Sequence, residues 1–263
     1  MTRRGGADPP WPRAKPGVAR ATPRSVGPGW AGAGFAGNHG RVTLAAVLFD
    51  MDGTLVDSEK LWDVALRDLA EQLGGVLTPE ARAQIVGTSP AETMEIFRIA
   101  LNRPDLDADE GNAFLTARMA ELYAAGVPWR PGAPELVDTV RAAGLRTALV
   151  TNTNRELVDV VLGSLGAHRF DVVVCGDEVA HPKPHPEPYV TAAARLGADP
   201  AACVAIEDSP TGLASARAAG CAVIAIPNDL ELSPDDLVGV TLRTSLLEVD
   251  LPLLRRLVSA GRA

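Results

Sequence analysis

Val47-Leu48-Phe49-Asp50-Met51-Asp52-Gly53-Thr54-Leu55-Val56-Asp57-Ser58 runs an apolar stretch directly into two aspartates separated by one residue. A buried strand over Ala45 to Phe49 fixes the backbone there, and because strand side chains alternate, Asp50 and Asp52 fall on the same side. That side is the carboxyl end of a strand, where ligands of open α/β sheets bind. Gly53 then permits a sharp turn. Such a carboxylate pair suits phosphoryl transfer: one attacks phosphorus, the other gives and takes a proton, and a Mg²⁺ held by oxygen ligands shields the charge. A strand followed by an ordinary Asp-Gly turn would look the same, so the motif needs company.

Three further segments supply it, in a fixed order, each with an apolar strand close before it. Thr147-Ala148-Leu149-Val150 leads into Thr151-Asn152-Thr153-Asn154. Lys183 lies in His181-Pro182-Lys183-Pro184-His185-Pro186-Glu187-Pro188-Tyr189. Cys203-Val204-Ala205-Ile206 leads into Glu207-Asp208-Ser209-Pro210-Thr211-Gly212. A hydroxyl and an amide donor can hold phosphate oxygens, a lysine can neutralise the nucleophile and the transferring group, and an acidic pair can complete a hard-cation site.

With these four motifs the chain resembles the haloacid dehalogenase superfamily, over a stretch from about Ala45 to Pro227. The Ser58-Glu59-Lys60-Leu61-Trp62 segment is similar to that of sugar-phosphate phosphatases with a helical cap. The resemblance implies an α/β fold with a Rossmann-like parallel sheet core and an inserted helical cap domain. Dehalogenases of this superfamily lack the second aspartate, so Asp52 argues for phosphate chemistry. The resemblance also implies the roles. Asp50 is the nucleophile that forms an aspartyl phosphate, and Asp52 is the acid and base. Thr151 and Asn152 meet phosphate oxygens, as do the turn amides of Met51 to Gly53, and Lys183 faces the site. Asn152 could instead cap the helix that follows, and the two roles can coexist. Asp208 is a metal ligand beside Asp50 and the backbone carbonyl of Asp52, with Glu207 either bound directly or one hydrogen bond behind. Thr54 and Ser209 brace their turns. His181 and His185 are assigned to loop packing or the substrate rim, because the other site groups are oxygen donors suited to Mg²⁺.

Composition narrows the partners. The 263 residues are 46% hydrophobic and 22% charged, ordinary for a globular chain with a sizeable core. A formal charge of −8 opposes binding to a nucleic-acid backbone, and with only 4% aromatic residues there is little to stack on bases. Cys175, Cys203 and Cys221 sit beside apolar runs without CxxC spacing, as expected of reduced, buried thiols in a cytoplasmic protein. Residues 1–41 stand apart. They hold nine Gly and six Pro, and seven basic residues against Asp8 alone, whereas the remainder has 18 basic and 32 acidic residues. Such a segment is expected to be a disordered tail, and no apolar stretch in it approaches a signal or spanning segment.

Organisation follows from the periodicities. Leu61, Ala65, Leu66, Leu69, Ala70 and Leu73 form one apolar face of a helix from Glu59. Gly74-Gly75 ends it, Thr78-Pro79-Glu80 starts another, Ser89-Pro90 reads as a helix start, and Phe114 to Ala125 continues in helical register. Residues 57–130 are therefore expected to be the cap, with 42–56 and 131–263 as the core and hinges near Val56 to Ser58 and Pro128 to Gly132. From Pro134 onward helices and strands alternate, the pattern of a parallel sheet covered on both faces. Substrate choice is expected in the cap, with Glu59, Trp62 and the Gly87-Thr88-Ser89 turn as candidates to close over the leaving group.

The expected activity is hydrolysis of a small phosphorylated metabolite, a sugar or polyol phosphate, by a monomer or weak homodimer with no nucleic-acid or membrane partner. The alternative is a β-phosphoglucomutase-like phosphotransferase. In those relatives an arginine that grips a second phosphate follows the cap turn. Pro90 stands there in this chain, which favours hydrolysis unless Arg98 or Arg103 substitutes.

Overall fold

The apolar run before Asp50 becomes β1, Ala46–Phe49, every residue of which is buried. The computed structural model describes residues 42–85, 88, 90–228 and 232–260; the expected tail and the turn residues Gly87 and Ser89 lie outside the described residues. β1 is central because it is apolar on both faces, which only a sheet covered on both sides can accommodate. It pairs in parallel with β2, Arg146–Val150, and with β4, Cys203–Glu207. β3, Val172–Val174, lies outside β2, while β5, Ala222–Ala225, and β6, Thr241–Leu242, extend the other side. Among the described residues the parallel sheet has six strands in the order β3-β2-β1-β4-β5-β6.

Alternation along the strands feeds two apolar layers. Val47, Phe49, Leu149, Val204 and Ile206 pack with Leu136 and Val140 of α5, Ala133–Ala142, and with Val158 and Val161 of α6, Arg155–Leu165. On the opposite face Ala46, Leu48, Ala148 and Ala205 meet Tyr189 and Ala192 of α7, Glu187–Arg195, and Leu213 of α8, Pro210–Ala218. The last helix, α9, Leu251–Ala260, adds Leu253 and Leu254 to the first layer.

Among the described residues, four helices run between β1 and α5: Glu59–Gln72, Pro79–Ile85, Pro90–Ala100 and Ala108–Ala125. In the helix Ala108–Ala125 the start is earlier than the expected Phe114, because the Asp107 side chain accepts from the amides of Asp109 and Glu110 and caps it. The two strands of chain that enter and leave this insert are tied to each other. Asp57 N donates to Pro128 O at 2.9 Å, Arg130 N donates to Leu55 O at 2.8 Å, and Val56 bridges Trp129 antiparallel. No helix among the described residues is long and apolar enough to cross a membrane. The three cysteines are free and buried, and burial pushes the Cys175 and Cys203 thiols up to about 12.

Candidate active site

Register brings the chemistry to one edge of the sheet. Phe49 pairs with Leu149 and Ile206, so the next residues, Asp50, Val150 and Glu207, end three adjacent strands side by side. The Asp50 amide donates to Ile206 O at 3.0 Å, which holds the backbone at that edge.

Lys183 reaches the same point from the loop before α7. Its Nζ donates to Asp50 Oδ1 at 2.6 Å, to Glu207 Oε1 at 2.6 Å and to Val150 O at 2.8 Å, using all three of its donors. Only 7% of Lys183 and 6% of Asp50 are exposed, so water screens this pair little. Burial pushes the ammonium toward neutrality, but the Asp50 and Glu207 carboxylates outweigh it and hold Lys183 above the usual lysine range. It is therefore a fixed cation.

The carboxylates carry the opposite strain. Burial first, then Glu207, pushes Asp50 up to about 7 against the pull of Lys183. Burial, Asp50 and Glu207 hold Asp208 well above the usual carboxylate range. Asp50, Glu207 and Asp208 each offer an oxygen within 4.8 Å of the others. One ammonium among three buried carboxylates leaves negative charge in excess, and Asp50 Oδ2 is buried with no hydrogen-bond partner among the described residues. An all-oxygen donor set with an orphaned carboxylate oxygen fits a hard divalent cation such as Mg²⁺.

The members of that set differ in what they have to spare. Glu207 Oε1 already accepts from Lys183 and, at 2.6 Å, from the Tyr189 hydroxyl, while Oε2 accepts from Asp208 N and Ser209 Oγ at 3.3 Å each. A Cβ on Gly212 would lie 2.0 Å from the Glu207 carboxylate oxygens, so glycine lets α8 seat directly on that group. Asp208 gives Oδ1 to the Thr54 hydroxyl at 3.0 Å. Gly53, at φ +80°, passes so near that a Cβ there would stand 2.0 Å from Asp208 Oδ2. The turn glycine thus both supplies the left-handed backbone and makes room for a carboxylate. Its amide is spent on Val56 O at 2.8 Å, so the expected contact of this amide with phosphate has a competing use. Ser209 accepts from Gly212 N at 3.1 Å and caps α8, as the bracing role required.

Asp52 is held by two hydroxyls. Thr153 Oγ1 donates to Oδ2 at 2.6 Å, and Tyr123 of the helix Ala108–Ala125 donates to Oδ1 at 2.8 Å. Burial and the Asp52 charge keep the Tyr123 phenol well above its usual range, so it remains a donor. Thr151 is buried and its Oγ1 accepts from Thr153 N at 3.1 Å. Asn152 has another occupation: its Oδ1 accepts from Lys183 N at 2.9 Å and its Nδ2 donates to Lys183 O at 3.1 Å. The carboxamide clamps the backbone of the lysine, and the cap of α6 is Asn154, whose Oδ1 accepts from Leu157 N at 3.0 Å. Sequence reasoning did not single out Tyr123, Thr153, Tyr189 or Arg130, whose guanidinium donates to Gly53 O. Thr153 and Tyr189 stood inside the quoted motifs, whereas the α4 tyrosine, with α4 the helix Ala108–Ala125, carried only its aromatic type as a signal.

The insert's candidates are engaged elsewhere. Glu59 Oε2 accepts from Arg82 Nη2 at 2.9 Å, and the same guanidinium binds Asp63. Trp62 is half-buried against the apolar layer, and Thr88 Oγ1 donates to Ile85 O at 2.8 Å. Ser89 lies outside the described residues. Arg98 donates to Leu106 O through Nε and Nη2 at 3.0 and 2.9 Å, and Arg103 pairs with Asp105 and Leu73 O. Both are committed within the insert.

A family model described as haloacid dehalogenase-like hydrolase matches residues 44–220. The chain is 36% identical over 206 residues to protein CbbY of Rhodobacter capsulatus, covering 73% of this chain and 89% of that protein. It is 31% identical over 188 residues to hexitol phosphatase B of Escherichia coli strain K12, covering 70% and 84%. A crystal structure of a CbbY variant from Rhodobacter sphaeroides in complex with xylulose-1,5-bisphosphate superposes with a TM-score of 0.69 at 30% identity, covering 80% of this chain and 99% of that one. The carboxylates at the ends of β1 and β4, with the lysine between them, are thus those of a chain that belongs to the haloacid dehalogenase-like hydrolase family.

Proposed function

We propose that the chain is a Mg²⁺-dependent, cytoplasmic phosphatase that hydrolyses a small phosphorylated sugar or polyol through an aspartyl phosphate on Asp50. The observation that carries the reading is the division of labour between two nearby aspartates. Asp50 is buried against the Lys183 ammonium, whereas Asp52 is held by the neutral hydroxyls of Tyr123 and Thr153. The first environment suits a nucleophile kept apart from water and the second a group that exchanges protons.

In this reading the Asp50 carboxylate attacks phosphorus in line, and the bond from phosphorus to the ester oxygen breaks. Asp52 gives its proton to the departing alkoxide. Water then attacks phosphorus, Asp52 takes a proton from it, and the bond to Asp50 breaks to release inorganic phosphate. Lys183 neutralises Asp50 and the phosphoryl oxygens, and the Thr151 hydroxyl donates to one of them. Asn152 acts mainly by fixing the Lys183 backbone. Mg²⁺, held by Asp50, Asp208 and the Asp52 carbonyl, would offset the negative charge of the carboxylates and the phosphoryl group. Glu207, with its oxygens occupied by Lys183, Tyr189, Asp208 and Ser209, supports the lysine rather than ligating directly.

The insert over residues 57–130 is read as the cap that shields the site from water, its two crossings paired at Val56 and Trp129. Among the described residues of the insert, Pro90 and the engagement of Arg98 and Arg103 with other partners argue against the second phosphate grip that a mutase needs. Hexitol and ketose phosphates, the ligand types named for its relatives, head the list of substrates. The test is phosphate release from a panel of sugar, polyol, nucleotide and glycolate phosphates, with Mg²⁺ and with chelator. Release only with Mg²⁺ and from sugar or polyol phosphates is expected. Conversion of a hexose 1-phosphate to the 6-phosphate with a bisphosphate primer would contradict the reading.

A further inference from the structure

His181, His185 and Glu187 bracket Lys183 in sequence but take no part in its hydrogen bonds, and they gather on the outside of its loop. Each offers one ligand atom, and the three atoms lie within 4.8 Å of one another. The Glu187 carboxylate is fixed by the backbone: Oε1 accepts from Ala180 N at 2.9 Å and Oε2 from His181 N at 3.0 Å. His181 Nδ1 lies 2.9 Å from the same Oε2. His185 Nδ1 lies 4.0 Å from it and accepts from Glu187 N at 3.2 Å. The two rings are 4.6 Å apart and tilted by 36°.

Exposed side chains such as the two imidazoles normally sample many rotamers, and holding them beside the half-buried Glu187 around one point costs entropy. Here Pro182, Pro184 and Pro186 limit the loop before any ligand arrives. The donors are two imidazoles and one carboxylate, a set that favours zinc and its neighbours over Mg²⁺. Side-chain exposures of 66% and 50% for the histidines leave room for water to complete the coordination.

We propose that His181, His185 and Glu187 form a second metal site, specific for a first-row transition cation such as Zn²⁺ and separate from the carboxylates around Asp50. An ion there ties the residues on both sides of Lys183 together and so steadies the loop that delivers the ammonium. The site does not depend on the phosphatase reading.

The test uses the full chain, freed of any purification tag, in saturating Mg²⁺. Zn²⁺ binding is followed by titration, and Co²⁺ binding by visible absorption, which reports nitrogen ligands. The expected result is one Zn²⁺ per chain and a rise in melting temperature on its addition. Both are lost in the His181→Ala/His185→Ala protein, whose melting transition without Zn²⁺ shows that it is folded, and both are kept in Asp50→Asn. The proposal is overturned if the wild type binds no Zn²⁺ in excess Mg²⁺, if the double variant binds it equally, or if Asp50→Asn abolishes it.

Discussion

The Tyr123 hydroxyl, from the helical insert, donates to Asp52 Oδ1 at 2.8 Å, 71 residues away in the chain. Thr153, from the loop after β2, donates to the other oxygen. The proposed acid and base is thus positioned jointly by the insert and the sheet.

Removing either hydroxyl should therefore cost turnover more than binding. A hydrogen bond to a charged group is worth about 1.5–3 kcal/mol, so Tyr123→Phe and Thr153→Val should each lower kcat by about tenfold or more with little change in KM. The double variant should lose less than the product of the two, because both act on one carboxylate. Steady-state kinetics on the best substrate checks this. Unchanged kcat in both single variants would mean that Asp52 needs no such support.

The charge balance of the site makes a prediction about pH and metal. The Asp50 carboxyl is raised from 3.8 to about 7, so the native state holds a proton that the unfolded chain has released. Its contribution to stability is present at acid pH and is lost as pH rises from about 4 to about 7, and the raised Asp208 acts in the same direction. Mg²⁺ competes with that proton for the same oxygens and should restore the lost stability where they are ionised. Thermal melts should show a larger gain from Mg²⁺ at about pH 8 than at about pH 5. An equal gain at both would separate the cation from these carboxylates.

Gly53→Ala should injure the site twice. An L-residue in the left-handed region costs about 1–2 kcal/mol, which denaturant melts would detect. The added Cβ, 2.0 Å from Asp208 Oδ2 if nothing moved, must also displace that carboxylate. Mg²⁺ affinity should fall by more than the stability loss explains, measured by titration of the folded variant. Wild-type affinity in that variant would remove Asp208 from the metal site.

Much of this architecture was legible in sequence because the parallel strands are continuous apolar runs, and the polar residues that end them form the candidate site. Asp50, Thr151, Glu207 and Asp208 stood out as candidates for that reason, and β2 and α6 begin and end where their periodicities do. β6 was not read, since a two-residue edge strand has no period to detect. Asn152 and Asn154 are the same residue type two positions apart. Only tertiary structure assigns the first to the Lys183 backbone and the second to the helix cap. Glu59 looked free to face a substrate, but its partner Arg82 lies on a different helix, a contact that helical spacing cannot reveal. Tyr123 was hidden for the same reason: helical register over Phe114 to Ala125 was readable, but not that this side chain meets Asp52.

The most direct measurement is to quench the wild-type protein and Asp50→Asn with acid during turnover of the best sugar or polyol phosphate, then map any covalent phosphoryl group by peptide mass spectrometry. The account predicts a phosphoryl group on the peptide containing Asp50 in the wild type, and neither that group nor phosphate release in Asp50→Asn. Turnover with no label on that peptide, or phosphate release by Asp50→Asn at the wild-type rate, would contradict it.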